Sequence, residues 1–412
     1  NLRRQRQMCI RDSQKGIIDA AGGKTNRPFV DLGMRAVSVP RAAADRAVAA
    51  LRRDPAVLRV DKDVRRTAQG APSDPRWDDQ WSLRTIGWDQ AYSDIRLGGD
   101  AVVAVLDTGV DGAHADLAGK LVAGHSALDG RAATTDPHGH GTWMAGIVAA
   151  RTDNGTGVAG VGYEGVRVMP VTVLGSDGTG YDSDIISGLV WAADNGADVA
   201  LMAFSSPASS APLQEAIDYA WSKGVVVVGA VANDGSTTPS YPAGNVRVIG
   251  VAATTRDDVL APSSDRGPSV TMAAPGVAIP TLLTGGDTAT VGGTSTAAAH
   301  VAAAAALLRA QDGSLTNAQV TGRLTETARS IGPSAGSGRL DVYQALMSGD
   351  ASPTEPGGEP GSGVDGVEYV AAAPAIGHRQ CQPGPDSPPN GIDSNCIDNS
   401  NPNGWKNGLN SG

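Results

Sequence analysis

Between Ala289 and Gln311 the chain reads ATVGGTSTAAAHVAAAAALLRAQ, and from Thr296 to Ala310 almost every residue is Ala, Val or Leu. A helix that is apolar nearly all round has no face to give to water, so it must lie in the core of a large domain with other elements layered around it. Gly292 and Gly293 lead into it. They permit a turn that a Cβ would hinder, and the free N–H groups and positive end of the helix then face whatever approaches Ser295. That position suits an oxygen nucleophile, and it equally suits a serine that merely caps a core helix.

The rest of the chain bears on that choice. A nucleophilic hydroxyl needs a base to take its proton, and the base needs a carboxylate to fix its tautomer and stabilise the imidazolium. Asp107 follows the apolar run Ala101–Leu106 in AVVAVLDTGVD, and His140 stands in HGHGTWMAGIVAA, where Gly141 and Thr142 open another apolar helical stretch. The order is Asp, His, Ser, which differs from the Ser, acid, His order of the α/β-hydrolases.

The blocks DTGVD, GHGT and GTSTAAAH, in this order and spacing, resemble the signature blocks of the subtilases, the subtilisin-like serine proteases. VVVVGAVANDGS resembles the segment that supplies the family's oxyanion-hole asparagine, here Asn233, and the similarity runs from about Asp74 to Met347. The resemblance implies a three-layer α/β fold, mostly parallel sheet with helices on both faces. It implies that Ser295 attacks a peptide carbonyl, that His140 carries the proton and Asp107 holds the imidazole, and that Asn233 and the Ser295 N–H stabilise the oxyanion. Catalysis needs no cofactor on this reading. Proteins or peptides are the substrates, and a secreted, extracellular monomer is expected.

Residue by residue, the resemblance assigns Gly178, Thr179, Gly180, Ala203, Phe204 and Ser205 to the substrate cleft, and Ala232 to the pocket floor. This chain departs from the family there. LMAFSS at 201–206 stands where Asn-Met-Ser-Leu-Gly is usual, Ala232 replaces a Gly, and Thr296 and Ala299 replace Met and Pro. Phe204, Ser205 and Ala232 are expected to narrow the cleft. The departures keep a second class open, a catalytically weak subtilase-like binding module. SYPA resembles a family segment with a cis Tyr241-Pro242 bond.

From 71 to 349 apolar strands alternate with helices, the pattern of an α/β sheet covered on both faces. Strands are expected at Ala101–Leu106, Val166–Leu174, Asp198–Phe204, Val225–Ala232 and Val246–Ala253, with helices near Gly141–Arg151, Ser183–Asn195, Pro212–Lys223 and Thr316–Arg329. Open parallel sheets bind ligands beyond the carboxyl ends of their strands, where Asp107 and Asn233 fall. GTGVAG at 155–160 matches a dinucleotide fingerprint, but it follows a helix rather than a strand, which argues against a nucleotide. TDNGTGV instead resembles the family's loop around a structural calcium. The resemblance makes Asn154, Asp116 and Asp74 ligands of Ca2+, a hard cation that takes oxygen donors; without it they read as solvated turn residues.

The flanks divide by composition. Residues 1–33 form a tail of unclear status that begins with the basic NLRRQRQMCIRDSQKG. Residues 34–70 read as strand, helix, strand and resemble the second half of a subtilase propeptide, implying a zymogen blocked by its own propeptide, with the first half sought within 17–33. A Pro/Gly/Ser/acidic stretch at 350–366 is a linker, expected to be extended and mobile. The Asp/Asn/Gly-rich tail at 367–412 reads as disordered or as a calcium-type loop. With only three cysteines, Cys9, Cys381 and Cys396, the central domain has no disulfide framework. A Cys381–Cys396 bridge would contribute roughly 3 kcal/mol if unstrained. A net charge of −10 argues against nucleic acid as a partner. No run of 18 apolar residues free of polar interruption precedes the linker, so no membrane span is expected there, and no signal-peptide core is seen at the start.

Overall fold

The computed structural model describes most of residues 16–60, then 71–349 and 352–357. These belong to one compact unit that ends at Gly358; a second unit, Glu359–Gly412, lies outside the described residues, as do all three cysteines.

Near the N-terminus, β1 (Lys24–Phe29) pairs antiparallel with β2 (Met34–Ser38), and a helix, Ala44–Arg53, follows. The strand at 34 and the helix stand where the sequence places them, and β1 supplies a partner within 17–33. The expected second strand, from Val57, falls largely on residues that are not described.

The main sheet has seven strands, all parallel: β3 (Ala101–Asp107), β4 (His125–Ser126), β5 (Val166–Thr172), β6 (Val199–Met202), β7 (Val226–Ala230), β8 (Val248–Thr254) and β9 (Met272–Pro275), in the spatial order β4-β5-β3-β6-β7-β8-β9. A separate hairpin joins β10 (Ile279–Leu283) to β11 (Asp287–Val291) and runs directly into the serine helix, Thr294–Gln311. Strand parity decides what each face packs against. Val103, Val105, Leu201, Val228 and Val251 share one buried cluster with the serine helix and the histidine helix, His140–Ala149. Leu106, Met202 and Val227 point the other way, into a cluster covered by the helices Asp182–Asp194 and Ala211–Ser222. The fold is therefore three layers, with both site helices on the same face.

The serine helix is buried along nearly its whole length, as its composition requires. Its alanines let it approach the sheet closely, so added bulk such as a Leu at Ala302 would overpack the core at a cost of about 1–3 kcal/mol. Residues 352–357, at the start of the Pro/Gly-rich stretch, are held against the domain: the Thr354 N–H donates to Ala318 O at 2.9 Å and the Arg247 N–H donates to Pro356 O. The Tyr241-Pro242 bond is cis. Among the described residues, no helix is long and apolar enough to cross a membrane.

Candidate active site

Three strand ends bring the chemistry together. β3 ends on Asp107; next to it, in register Leu106 with Met202, β6 runs out into Ala203; β7 leads through Val231 and Ala232 to Asn233. The Asp107 carboxylate is fully buried, and both its oxygens accept from His140 Nδ1, at 2.9 and 2.8 Å. Because a carboxylate only accepts, Nδ1 carries the proton and Nε2 is the lone-pair nitrogen. The histidine helix can lie this close to the end of β3 because its second residue is Gly141, where a Cβ would run into the Gly109 carbonyl and press on Asp107. Burial alone pushes the imidazole pKa down, but the charge and hydrogen bond of Asp107, with a further contribution from Asp136, outweigh it and hold His140 above the usual histidine value.

Ser295 is the second residue of its helix, which starts two residues earlier than the apolar run alone suggests. Gly293 precedes it at φ +128°, a conformation that strains other residues. The Ser295 hydroxyl donates to the Ala203 carbonyl at 2.8 Å and makes no hydrogen bond to His140. Asn233 is fixed by the same helix start: its Oδ1 accepts from the Thr294 N–H at 2.9 Å, which leaves Nδ2 as its donor. A hollow of about 370 Å³ opens beside Asn233 and Gly293, bordered by Ser263, Gly276 and Val277.

The remaining cleft assignments divide. Gly178 sits against the His138 ring, and Thr179 and Gly180 are exposed beside it. Ser205 is exposed. Phe204 does not narrow the space beside Ser295. Its ring packs against the cluster on the opposite face of the sheet, because it shares the parity of Met202 while Ala203 faces the serine helix. Ala232 is a different case: it is buried at φ +80°, in the left-handed region that costs an L-residue roughly 1–2 kcal/mol.

Asp74, Asp116 and Asn154 also converge. Asp116 is fully buried and accepts from Asn154 Nδ2 at 2.7 Å and the Val158 N–H at 2.9 Å; Asp74 accepts from the Asp153 N–H at 2.8 Å. Burial raises the pKa of both acids, and Asp74 raises that of Asp116 further. Two buried carboxylates held only by neutral donors form an oxygen-rich site that a hard divalent cation would compensate. Among the described residues no group of three acids, imidazoles or thiols does so; the third side chain here is an amide.

Two residues of the site were not read from the sequence, Thr108 and Asp136. The Thr108 hydroxyl donates to Asp136 at 2.7 Å, and Asp136 accepts from the first turn of the histidine helix. The signal was present, a carboxylate four residues ahead of His140 with free helix N–H groups to satisfy.

Comparison with known proteins agrees with this architecture. Residues 98–357 match the model of the subtilase family. Thermitase of Thermoactinomyces vulgaris is 38% identical over 280 residues, covering 67% of this chain and 99% of thermitase. A thermophilic serine proteinase of Bacillus sp. (strain AK1) is 36% identical over 303 residues, 73% of this chain and 75% of that protein. Among solved structures, a protease from Pseudoalteromonas arctica PAMC 21717 superposes with a TM-score of 0.63 at 32% identity, covering 68% of this chain and 99% of the other. The chain belongs to the subtilase family and is a subtilisin-like serine endopeptidase.

Proposed function

We propose that the protein hydrolyses peptide bonds of protein substrates through an Asp107–His140–Ser295 triad and an acyl-enzyme, and that it is a secreted monomer made as a zymogen. The observation that carries the reading is the double grip of buried Asp107 on His140 Nδ1, which commits Nε2 to proton acceptance. Ser295 Oγ attacks the carbonyl carbon while its proton passes to Nε2. The oxyanion is met by Asn233 Nδ2 and the Ser295 N–H, a side-chain donor of this kind being worth roughly 3–4 kcal/mol of transition-state stabilisation. His140 then returns the proton to the leaving amine, and water repeats the sequence on the acyl-enzyme. The unit built on β1, β2 and Ala44–Arg53 is read as the remnant of a cleft-blocking propeptide.

Asp74, Asp116, the Asn154 side chain and neighbouring backbone carbonyls would hold a calcium ion. It would supply charge compensation to two buried carboxylates and take no part in catalysis.

One observation favours the weaker alternative, a binding module: the Ser295 hydroxyl is engaged by Ala203 rather than His140. Assay of the purified full chain on casein decides between them. Progressive cleavage, with N-terminal sequencing that shows loss of residues up to about 70, supports the protease reading; stable binding of casein without cleavage favours the module.

A further inference from the structure

The triad accounts for Asp107 and His140 but not for the second carboxylate behind them. Asp136 is buried to 9% exposure and is saturated with donors. Its Oδ1 accepts from the Thr108 hydroxyl at 2.7 Å, the Gly139 N–H at 2.8 Å and the His138 N–H at 3.3 Å. Its Oδ2 accepts from the Thr142 N–H at 2.8 Å and the Thr142 hydroxyl at 2.6 Å. Thr108 closes the circuit from the other side: its N–H donates to Asp107 Oδ1 at 2.8 Å, and its hydroxyl oxygen accepts from the Gly141 N–H at 3.2 Å. Thr142 is tied in turn to the loop after Asp107, its hydroxyl oxygen accepting from the Asp111 N–H at 2.9 Å.

Two segments distant in sequence, the end of β3 and the first turn of the histidine helix, are thus bolted together around one anion. The distance between Asp107 and His140 is the quantity this arrangement fixes. Each bond to Asp136 is charge-assisted, and the helix N-terminus adds its own partial positive charge, so the clamp is stiffer than neutral bonds would make it. The same charge acts on the imidazole through space, adding to that of Asp107.

Resting on the triad reading above, we propose that Asp136 is a positioning residue for the reaction: through Thr108 and the first turn of the helix it holds His140 in register with Asp107, and its negative charge supports the imidazolium formed when Ser295 gives up its proton.

The titratable groups facing His140 are Asp107 at the end of β3, and Asp136 and His138 from the loop before the helix, the His138 ring centre lying 6.3 Å away. Asp177 bears on His138 from the loop after β5. A pH profile must separate these.

The test compares wild type, Asp136→Asn, Thr108→Val and His138→Asn as full chains, with kcat and KM for a peptide substrate measured from pH 5 to 9 and melting temperatures alongside. Asp136→Asn keeps the shape but removes the charge and sets an amide N–H against N–H donors. Its kcat is expected to fall about 10- to 100-fold, the scale of a small misplacement of a catalytic group, with KM little changed. Its acid limb should move to lower pH, because an imidazole with less negative charge beside it loses its proton more readily. Thr108→Val loosens the clamp and keeps the charge, so kcat should fall while the acid limb moves less than in Asp136→Asn. In a His138→Asn background, Asp136→Asn should move the acid limb by the same amount. An Asp136→Asn protein with wild-type kcat and an unmoved acid limb overturns the proposal. If that variant does not fold, Thr108→Val decides, and wild-type kcat there overturns it. A folded wild type that cleaves nothing overturns the triad reading and this proposal together, whereas an active wild type with an unchanged Asp136→Asn overturns this proposal alone.

Discussion

Asp107 holds His140 Nδ1 with both carboxylate oxygens, at 2.9 and 2.8 Å, in a pocket where the carboxylate has no exposure to solvent. An amide in its place would set its N–H against the Nδ1 proton and favour the tautomer in which Nε2 is the protonated nitrogen. Asp107→Asn should therefore lower kcat by about 10⁴-fold while the protein still folds. The group's influence on His140 is to raise its pKa, so activity limited by neutral imidazole should begin at higher pH in the wild type than in the variant. Steady-state kinetics across pH 5–9 check both; a variant within tenfold of wild type would remove Asp107 from the mechanism.

Ala232 sits at φ +80° just before Asn233. Ala→Gly usually costs up to about 1 kcal/mol through backbone entropy, but here relief of left-handed strain of about 1–2 kcal/mol opposes it. Ala232→Gly should be neutral or slightly stabilising in thermal melts, and a clear loss of stability would contradict the strain argument. Phe204 turns to the other face of the sheet and Ser205 is exposed, so the narrowing tested here is the buried one, at Ala232. The wild type should favour Ala or Leu over Phe before the scissile bond. Ala232→Gly should shift that ratio towards Phe by an amount within about 1–3 kcal/mol, read as relative kcat/KM on matched peptides.

His300 is buried in the serine helix and donates from Nδ1 to the Thr296 carbonyl at 2.7 Å. Burial pushes its pKa down to about 4. The unfolded chain, with a histidine pKa near 6.5, binds the proton first, so the stabilisation is complete above about pH 6.5 and is lost as pH falls towards 4. The full amount is about 3 kcal/mol on that difference. His300→Gln keeps a donor and cannot titrate, so its melting temperature should fall less between pH 7 and pH 5 than that of the wild type. Parallel pH dependence in the two proteins would exclude this histidine as a source of acid instability.

If a cation compensates Asp74 and Asp116, it binds the native state and stabilises by mass action. EDTA should lower the melting temperature of the wild type, and excess Ca2+ should restore it. Asp116→Asn should abolish the response to chelator. An unchanged melting temperature with EDTA would remove the ion from the account.

Much of this site was legible in the sequence because strong local patterns carry it. Asp107 ends one continuous apolar strand and Asn233 follows another, and the serine helix announces its burial by having no polar face. Other parts had weaker signals. The strand Met272–Pro275 reads MAAP, and β1 contains Pro28, so neither shows β-propensity. The hairpin Ile279–Val291 was hidden by its second strand, DTATV, which is short, mostly polar and nowhere fully buried. The orientation of Phe204 could have been read from parity, since Leu201 and Ala203 must share a face that Met202 and Phe204 do not. The Asp136 clamp depends on two loops meeting, which no periodicity encodes.

The central claim is that Ser295 is the nucleophile, although its hydroxyl rests on the Ala203 carbonyl. The most direct measurement treats folded wild type and Ser295→Ala with a fluorophosphonate, locates the adduct by peptide mass spectrometry and follows casein hydrolysis in parallel. One adduct on Ser295, with adduct and hydrolysis both lost in Ser295→Ala at an unchanged melting temperature, is the predicted result. Casein cleavage that survives in Ser295→Ala, or a folded, unmodified Ser295 in a protein that still cleaves, would contradict it.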